Sequence, residues 1–423
     1  MVNLKKWLGN PFIAAAFFTA VLIYSNAVVP ADKNPYSGLV SRECLLSVTG
    51  TVSSNPVKSS SEKTYSFFVN LEKSEGKVNG YDLKSSAEGK IKVFVPASTA
   101  ESLFPGKLYS SAKNASLIEE GEKIICKGIW NSKLEAFNAS DVENISVYDS
   151  VVKKISHFRA LCRLVLKRLL FSWGECGGLL LALLSGSREY TSNEIRECFR
   201  NAGLSHILAL SGMHLSFFAG IAGFTGKKFF GKSSSFFARL FGIIFFVWFA
   251  GFSPSLFRAF LCSMISLLCS ALFCEKSDFL SILSCAFLIH CMIFPSDVYT
   301  AAFILSYGAL CGIVCFADFF AGKFSAFLPP AVASSVAASL SAQIFTAPVS
   351  IFMFGAFMPV GIIASVIVSP LISLFFLLGI IFILTGLMFP FLSVIYGIII
   401  NILFTVIIFF VKIFALVPPV NFN

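Results

Sequence analysis

The chain has 423 residues, of which 56% are hydrophobic and only 13% charged. A water-soluble globular domain carries about twice that charged fraction, so a single soluble fold is excluded. The formal net charge of +10 does not by itself indicate nucleic acid, because Lys and Arg in the cytoplasmic loops of a membrane protein give the same excess.

Lys5 and Lys6 precede an apolar run over residues 11–29. The run is long for a signal peptide and lacks a small-x-small cleavage site. Residues 1–30 therefore read as a retained transmembrane anchor with its N-terminus in the cytoplasm. Residues 31–150 are rich in Ser, Lys, Glu, Asn and Gly, with short alternating runs at 44–52, 64–71, 90–95, 123–130 and 142–147. Phe67, Val69 and Leu71 alternate with polar or small neighbours, as do Ile91, Val93 and Val95, and Pro105-Gly106 is a turn signal. About five strands in this length predict a small all-β barrel or sandwich, with an OB-like extracytoplasmic domain as the best single reading. The twelve cysteines include no CxxC pair, and most lie in apolar segments as small core residues. Cys44 and Cys126 fall in the β domain instead. Outside the membrane they form either a disulfide or two free buried thiols.

Residues 151–203 read as basic amphipathic and interfacial helices. Lys153, Lys154, Arg159, Arg163, Lys167 and Arg168 oppose Ile155, Phe158, Leu161, Leu164, Val165 and Leu169. Such a helix lies on an anionic membrane surface or lines a path for a polyanion. The apolar piece at 179–184 is too short to span. Residues 204–423 hold further apolar segments near 204–224, 239–253, 256–274, 278–294, 299–317, 330–354, 358–387 and 390–417. With the anchor they make about nine spans. Past Asp318 there is no acid, and the only bases are Lys323 and Lys412. Lys227, Lys228, Lys232 and Arg239, then Lys276 and Lys323, fall on alternate turns, while the turns near 296 and 357 carry no Lys or Arg. The positive-inside rule then places the C-terminus outside. The fold class is an α-helical polytopic protein of the cytoplasmic membrane with an inserted small all-β domain.

Polar groups inside such spans are costly and tend to face cavities or partners. One window holds Asn201, His206, Ser211, Gly212 and His214. On a continuous helix His206 and His214 lie about 80° apart, one related sector. A serine hydrolase would need a base and an acid around Ser211, and no G-x-S-x-G elbow is present. No HExxH or acid cluster suggests a metal, so catalytic residues, metals and cofactors are not expected. Polar helix packing and the lining of a transport path remain. A second window, Ser253-Pro254 followed by Arg258, breaks a helix at membrane depth. Arg258 is either a guide for phosphate or a snorkelling cation. In a third window Ser341, Gln343 and Thr346 precede Pro348, where hydrogen bonding between helices competes with a path role.

These windows resemble the ComEC family of DNA-uptake channel proteins. The resemblance runs through 177–188, SHILALSGMH within 204–220, GFSPSLFRA at 251–259, FILSYGAL at 303–310, SLSAQIFTAPVSIFMFG at 339–355 and VGIIASVIVSPLIS at 360–373. It implies a membrane channel component that passes single-stranded DNA during natural transformation, with Arg188, Arg196, Arg200 and Arg258 tracking phosphates. It also implies a DNA receptor, a cytoplasmic helicase and a separate nuclease as partners, beside the lipid bilayer and a second copy of the chain. Many relatives continue into a metallo-β-lactamase-like domain. This sequence runs to Asn423 without an HxHxDH motif, and its four His are scattered, so no nuclease is expected of it. Ser187, Ile304 and Ser365 stand where the family usually has an acid, a Gln and an Asn. A non-nucleic-acid transporter or export factor, or a membrane scaffold on the same fold, is the competing reading.

Overall fold

The computed structural model describes residues 10–25, 36–59, 63–78, 81–102, 118–144, 151–231, 234–272 and 278–421. Lys5, Lys6, Pro105-Gly106, Lys232 and Lys276 lie outside the described residues. Two compact units are present: residues 32–193 with 379–401, and residues 1–31, 194–378 and 402–423.

Helix α1 (Pro11–Tyr24) leads into the β region, whose elements are β1 (Ser37–Gly38), β2 (Leu45–Val52), β3 (Val57–Lys58), β4 (Thr64–Val78), β5 (Tyr81–Glu88), β6 (Lys90–Pro96), α2 (Ala97–Ser102), β7 (Lys123–Asn131) and β8 (Ala136–Asn144). Strand β4 pairs with β2, β2 with β7, β7 with β8, β8 with β6, and β6 again with β4. The ring closes into a five-stranded barrel in which only the β6–β8 contact is parallel. The alternation read from the sequence is the inward face: Tyr65, Phe67, Val69, Ile91, Val93, Val95 and Phe137 are buried together. Register shifts opposite Thr49/Gly50 and Lys127/Gly128 leave one extra residue in β4, Glu72, and one in β8, Ser140, and bend those strands. At Gly50 and Gly128 a Cβ would overlap the carbonyl oxygens of Asn70 and Asn138, so curvature and glycine occur together. Residues 73–78 of β4 also pair with β5, which extends the sheet beyond the barrel.

Of the two alternatives for Cys44 and Cys126, a disulfide or free thiols, both thiols are free. Cys126 pairs with Val48 across the barrel wall and is buried, whereas Cys44 ends a short turn and is exposed. Burial pushes the Cys126 thiol up to about 12.

Helix α3 (Val151–Phe171) corrects the expectation of a lipid-facing basic stripe, since Arg159, Arg163, Lys167 and Arg168 are all buried. The reason is a set of acids far away in sequence. Arg163 Nε lies 3.2 Å from Glu119 Oε2, and Lys167 Nζ pairs with Glu119 and, at 2.7 Å, with Glu189 Oε2. Arg163 also donates to the Ser185 carbonyl at 2.9 Å, Arg159 donates to the Glu120 carbonyl, and His157 sits 3.4 Å from Glu122. Buried charges persist only when paired and hydrogen-bonded. Helix α4 (Gly174–Ser185) is apolar and almost wholly buried, and Trp173 before it donates to the Ser393 carbonyl at 3.0 Å.

In the other unit the helices are α5 (Asn193–Asn201), α6 (Gly212–Phe230), α7 (Ser234–Ala250), α8 (Pro254–Leu272), α9 (Phe279–Ile293), α10 (Ala301–Phe324) and α11 (Pro330–Phe354). Helices α12 (Gly361–Met388) and α13 (Ser393–Ala415) follow and contribute segments to both units. Among the described residues five helices are long and apolar enough to cross a membrane: α8, α10, α11, α12 and the segment Pro390–Ala415 that contains α13. Helices α1, α4, α7 and α9 are apolar but shorter. Helices α10 and α11 approach closely at Gly312, where any Cβ would overlap the Ser341 carbonyl. Helix α1 is tied to α9 and its following turn through Asn10 Nδ2 to Ser281 Oγ at 2.8 Å and Tyr24 Oη to the Val298 carbonyl at 3.1 Å. The protein is thus a multi-pass membrane protein with a β-barrel domain.

Candidate functional site: two helix starts and Arg258

The span expected over 204–224 is helical only from Gly212. Residues 202–211 run as turns, and two local features fix this. Gly203 adopts φ 72° after α5, and the Leu204 amide closes back on the Phe199 carbonyl at 2.8 Å. That is a helix C-cap. Gly203 also packs on Gly361, where a Cβ would meet the Gly361 Cα at 2.9 Å. Ser211 then caps α6: its side chain accepts from the His214 amide, and His214 Nδ1 accepts from the Ser211 amide at 3.2 Å. This is a capping box with His in the place usually held by Glu or Gln. The shared helical sector of His206 and His214 is therefore corrected, because no continuous helix joins them.

Helix α8 starts after a second break. Gly251 has φ 87°, residues 251–253 are non-helical, and Pro254 takes the first helical position. That position suits Pro, since its missing N–H has no partner there anyway. The two starts are bonded together: Ser255 Oγ donates to the Leu210 carbonyl at 2.8 Å. One turn on, Arg258 is 8% exposed and donates from Nη1 to the Ser306 carbonyl of α10 at 2.7 Å. Its Nη2 lies 3.5 Å from where a Cβ on Gly212 would stand. Among the described residues Arg258 forms no ion pair, and its Nε finds no hydrogen-bond partner. His214 is fully buried against Phe376 of α12, ring centroids 4.7 Å apart, with Nε2 unpartnered. Met213 Sδ accepts from Ser373 Oγ at 3.3 Å.

Of the residues singled out by sequence, Ser211, Gly212, His214, Ser253, Pro254 and Arg258 are thus brought to one place. Gln343 belongs to another contact, its Nε2 3.5 Å from a Cβ built on Gly361, beside Gly203. Asn201 ends α5, and Arg196 and Arg200 are on the same helix. His206 is exposed in the turn region, and Arg188 lies in the barrel-containing unit. Sequence reading missed Ser306, Ser373 and Phe376. It had no way to see Ser306, which acts through its backbone. It also missed buried His290, which lies 3.3 Å from Tyr307 Oη and 3.4 Å from Oδ2 of the half-buried Asp297. Among the described residues no cluster of His, Cys, Asp or Glu could hold a metal.

The family described as Competence protein matches residues 183–423, which takes in both helix starts and Arg258. No curated protein and no solved structure matches the chain. Since the match covers more than half of the sequence, the chain belongs to the Competence protein (ComEC) family.

Proposed function

We propose that this protein is the membrane channel component that passes single-stranded DNA during natural transformation. Family membership supports a role in DNA uptake. The observation that carries the finer reading is Arg258: a buried cation without an acid, set against a helix start inside an apolar unit. Packing alone does not retain such a charge, whereas passing phosphates neutralise it. The barrel supports the same reading. Its closure through one parallel contact, with a helix after the third barrel strand, is the connectivity of an OB-type barrel, a class that binds nucleic acid strands.

On this reading about nine helices cross the membrane, with the shorter ones using flanking turns. The N-terminus is cytoplasmic and the C-terminus outside. This reading calls for a DNA receptor, a cytoplasmic helicase and a nuclease as partners. The test is uptake of labelled DNA and transformation in a deletion strain, with Arg258→Ala and His214→Ala introduced on the complementing copy. Deletion should abolish both readouts, and Arg258→Ala should reduce them at equal membrane abundance. Unchanged uptake in the deletion strain would sink the channel reading in favour of an exporter or scaffold.

A further inference from the structure

An α-helix leaves the amides of its first turn without intrahelical partners and carries partial positive charge at that end. In α6 the His214 amide is taken by the Ser211 side chain. The Gly212 and Met213 amides find no partner among the described residues. Arg258 is more than nine-tenths buried, and its Nη2 is directed at this same turn, 3.5 Å from the Cβ position of Gly212. Its Nη1 is anchored on Ser306, so the fork is fixed in place while Nε remains unmatched. Buried donors without acceptors are costly, and several of them around one point specify an acceptor of negative charge.

Beside Gly212 there is room for one atom, the size of a single acceptor oxygen. Gly312 and Gly203 are glycines because neighbouring backbone leaves no room for a Cβ. Gly212 is different: an added Cβ would meet Ala259 at 3.4 Å and Arg258 at 3.5 Å, ordinary contact distances. Packing does not require glycine there, and alanine is the better helix former. What a methyl group would take is the room between the first-turn amides and the guanidinium.

We infer that the first turn of α6 and Arg258 form a binding seat for one phosphate oxyanion, held by the Gly212 and Met213 amides and the Arg258 fork. The inference rests on the channel reading for its source, a DNA phosphodiester, and on geometry alone for its chemistry. A lipid headgroup or free phosphate carries the same group.

The test uses the full chain purified in a phosphate-free maltoside detergent. Binding of a fluorescent 20-nucleotide oligo-dT is compared with its uncharged methylphosphonate counterpart for wild type, Gly212→Ala and Arg258→Gln. Thermal unfolding is measured for all three with inorganic phosphate or phosphatidylglycerol. Gly212→Ala should melt no lower than wild type yet bind the phosphodiester oligonucleotide about tenfold or more weakly, the loss expected for charge-assisted hydrogen bonds. Arg258→Gln should lose as much, and the methylphosphonate oligonucleotide should not distinguish the three proteins. If Gly212→Ala, fully folded, binds oligo-dT as wild type does, the seat is overturned while the channel reading stands. If wild type ignores oligo-dT but phosphate or phosphatidylglycerol stabilises it and neither variant, the seat stands and the DNA reading falls. Wild type indifferent to every probe overturns the seat.

Discussion

Lys167 has no exposed surface, so its charge is tolerated only because Glu119 and Glu189 flank it. Burial alone would raise the Glu119 carboxyl, but Arg163 and Lys167 outweigh it and hold Glu119 below its ordinary range. For Lys167, burial pulls the ammonium down, while Glu119 and Glu189 more than reverse this and hold it above its ordinary range. The lowered Glu119 contributes stability that is full above its unfolded value, about 4.3, and is lost as pH falls through its folded value. The raised Lys167 contributes stability that is full below about 10.4 and is lost as pH rises through its folded value. Glu120, raised by burial, works against folding once ionised and offsets part of the gain. Lys167→Met should therefore cost about 3–5 kcal/mol, since it leaves two buried carboxylates less compensated. Adding Glu189→Gln should recover part of that loss, and wild-type melting should fall at both pH extremes; detergent melts across pH read all three. Gly312→Ala tests a different term. Its methyl group meets the Ser341 carbonyl, so it should destabilise by about 1–3 kcal/mol in the same melts, where Gly212→Ala does not.

Among the elements, the barrel was legible because its inward residues obey a period of two. Phe67, Val69, Ile91 and Val93 occupy the face that the alternation predicted. The second half of β4 was not legible, because residues 73–78 are almost all polar and are held by pairing with β5 and, over 73–76, with β2. The burial of α3 was hidden for another reason: Arg163 and Lys167 look like surface cations until Glu119 is placed beside them. The start of α6 carried a readable signal, Ser211 three residues before His214, but the apolar run at 207–210 suggested a helix instead. On the outer face of the barrel, Lys90 lies 5.0 Å from the Phe68 ring centre and Lys92 lies 4.9 Å from that of Phe94. These residues share adjacent strands, with Phe68 opposite Lys92. Aromatic rings interleaved with lysines on a barrel wall suit sequence-independent stacking on a strand. Phe68→Ala with Phe94→Ala should weaken oligo-dT binding to the full chain by about 1–3 kcal/mol per lost stack. A titration monitored by fluorescence anisotropy checks this, and the salt dependence of binding should persist because the lysines remain.

For the whole molecule, the distribution of cations predicts orientation. Lys227 and Lys228 end α6 and Lys323 ends α10, so both ends should face the cytoplasm. Alkaline phosphatase fused after residue 423 should then be active, while fusions after Gly231, past the end of α6, should be inactive. The reverse pattern would invert the topology. At Gly312 the backbone of α10 comes against the Ser341 carbonyl of α11, with the Phe345 ring beside it, so these two helices should move as one piece. Compliance must lie where helical bonding is already interrupted, at residues 202–211 and 251–253. Because Ser255 joins α8 to the Leu210 carbonyl, a displacement at one of these interruptions should be passed to the other.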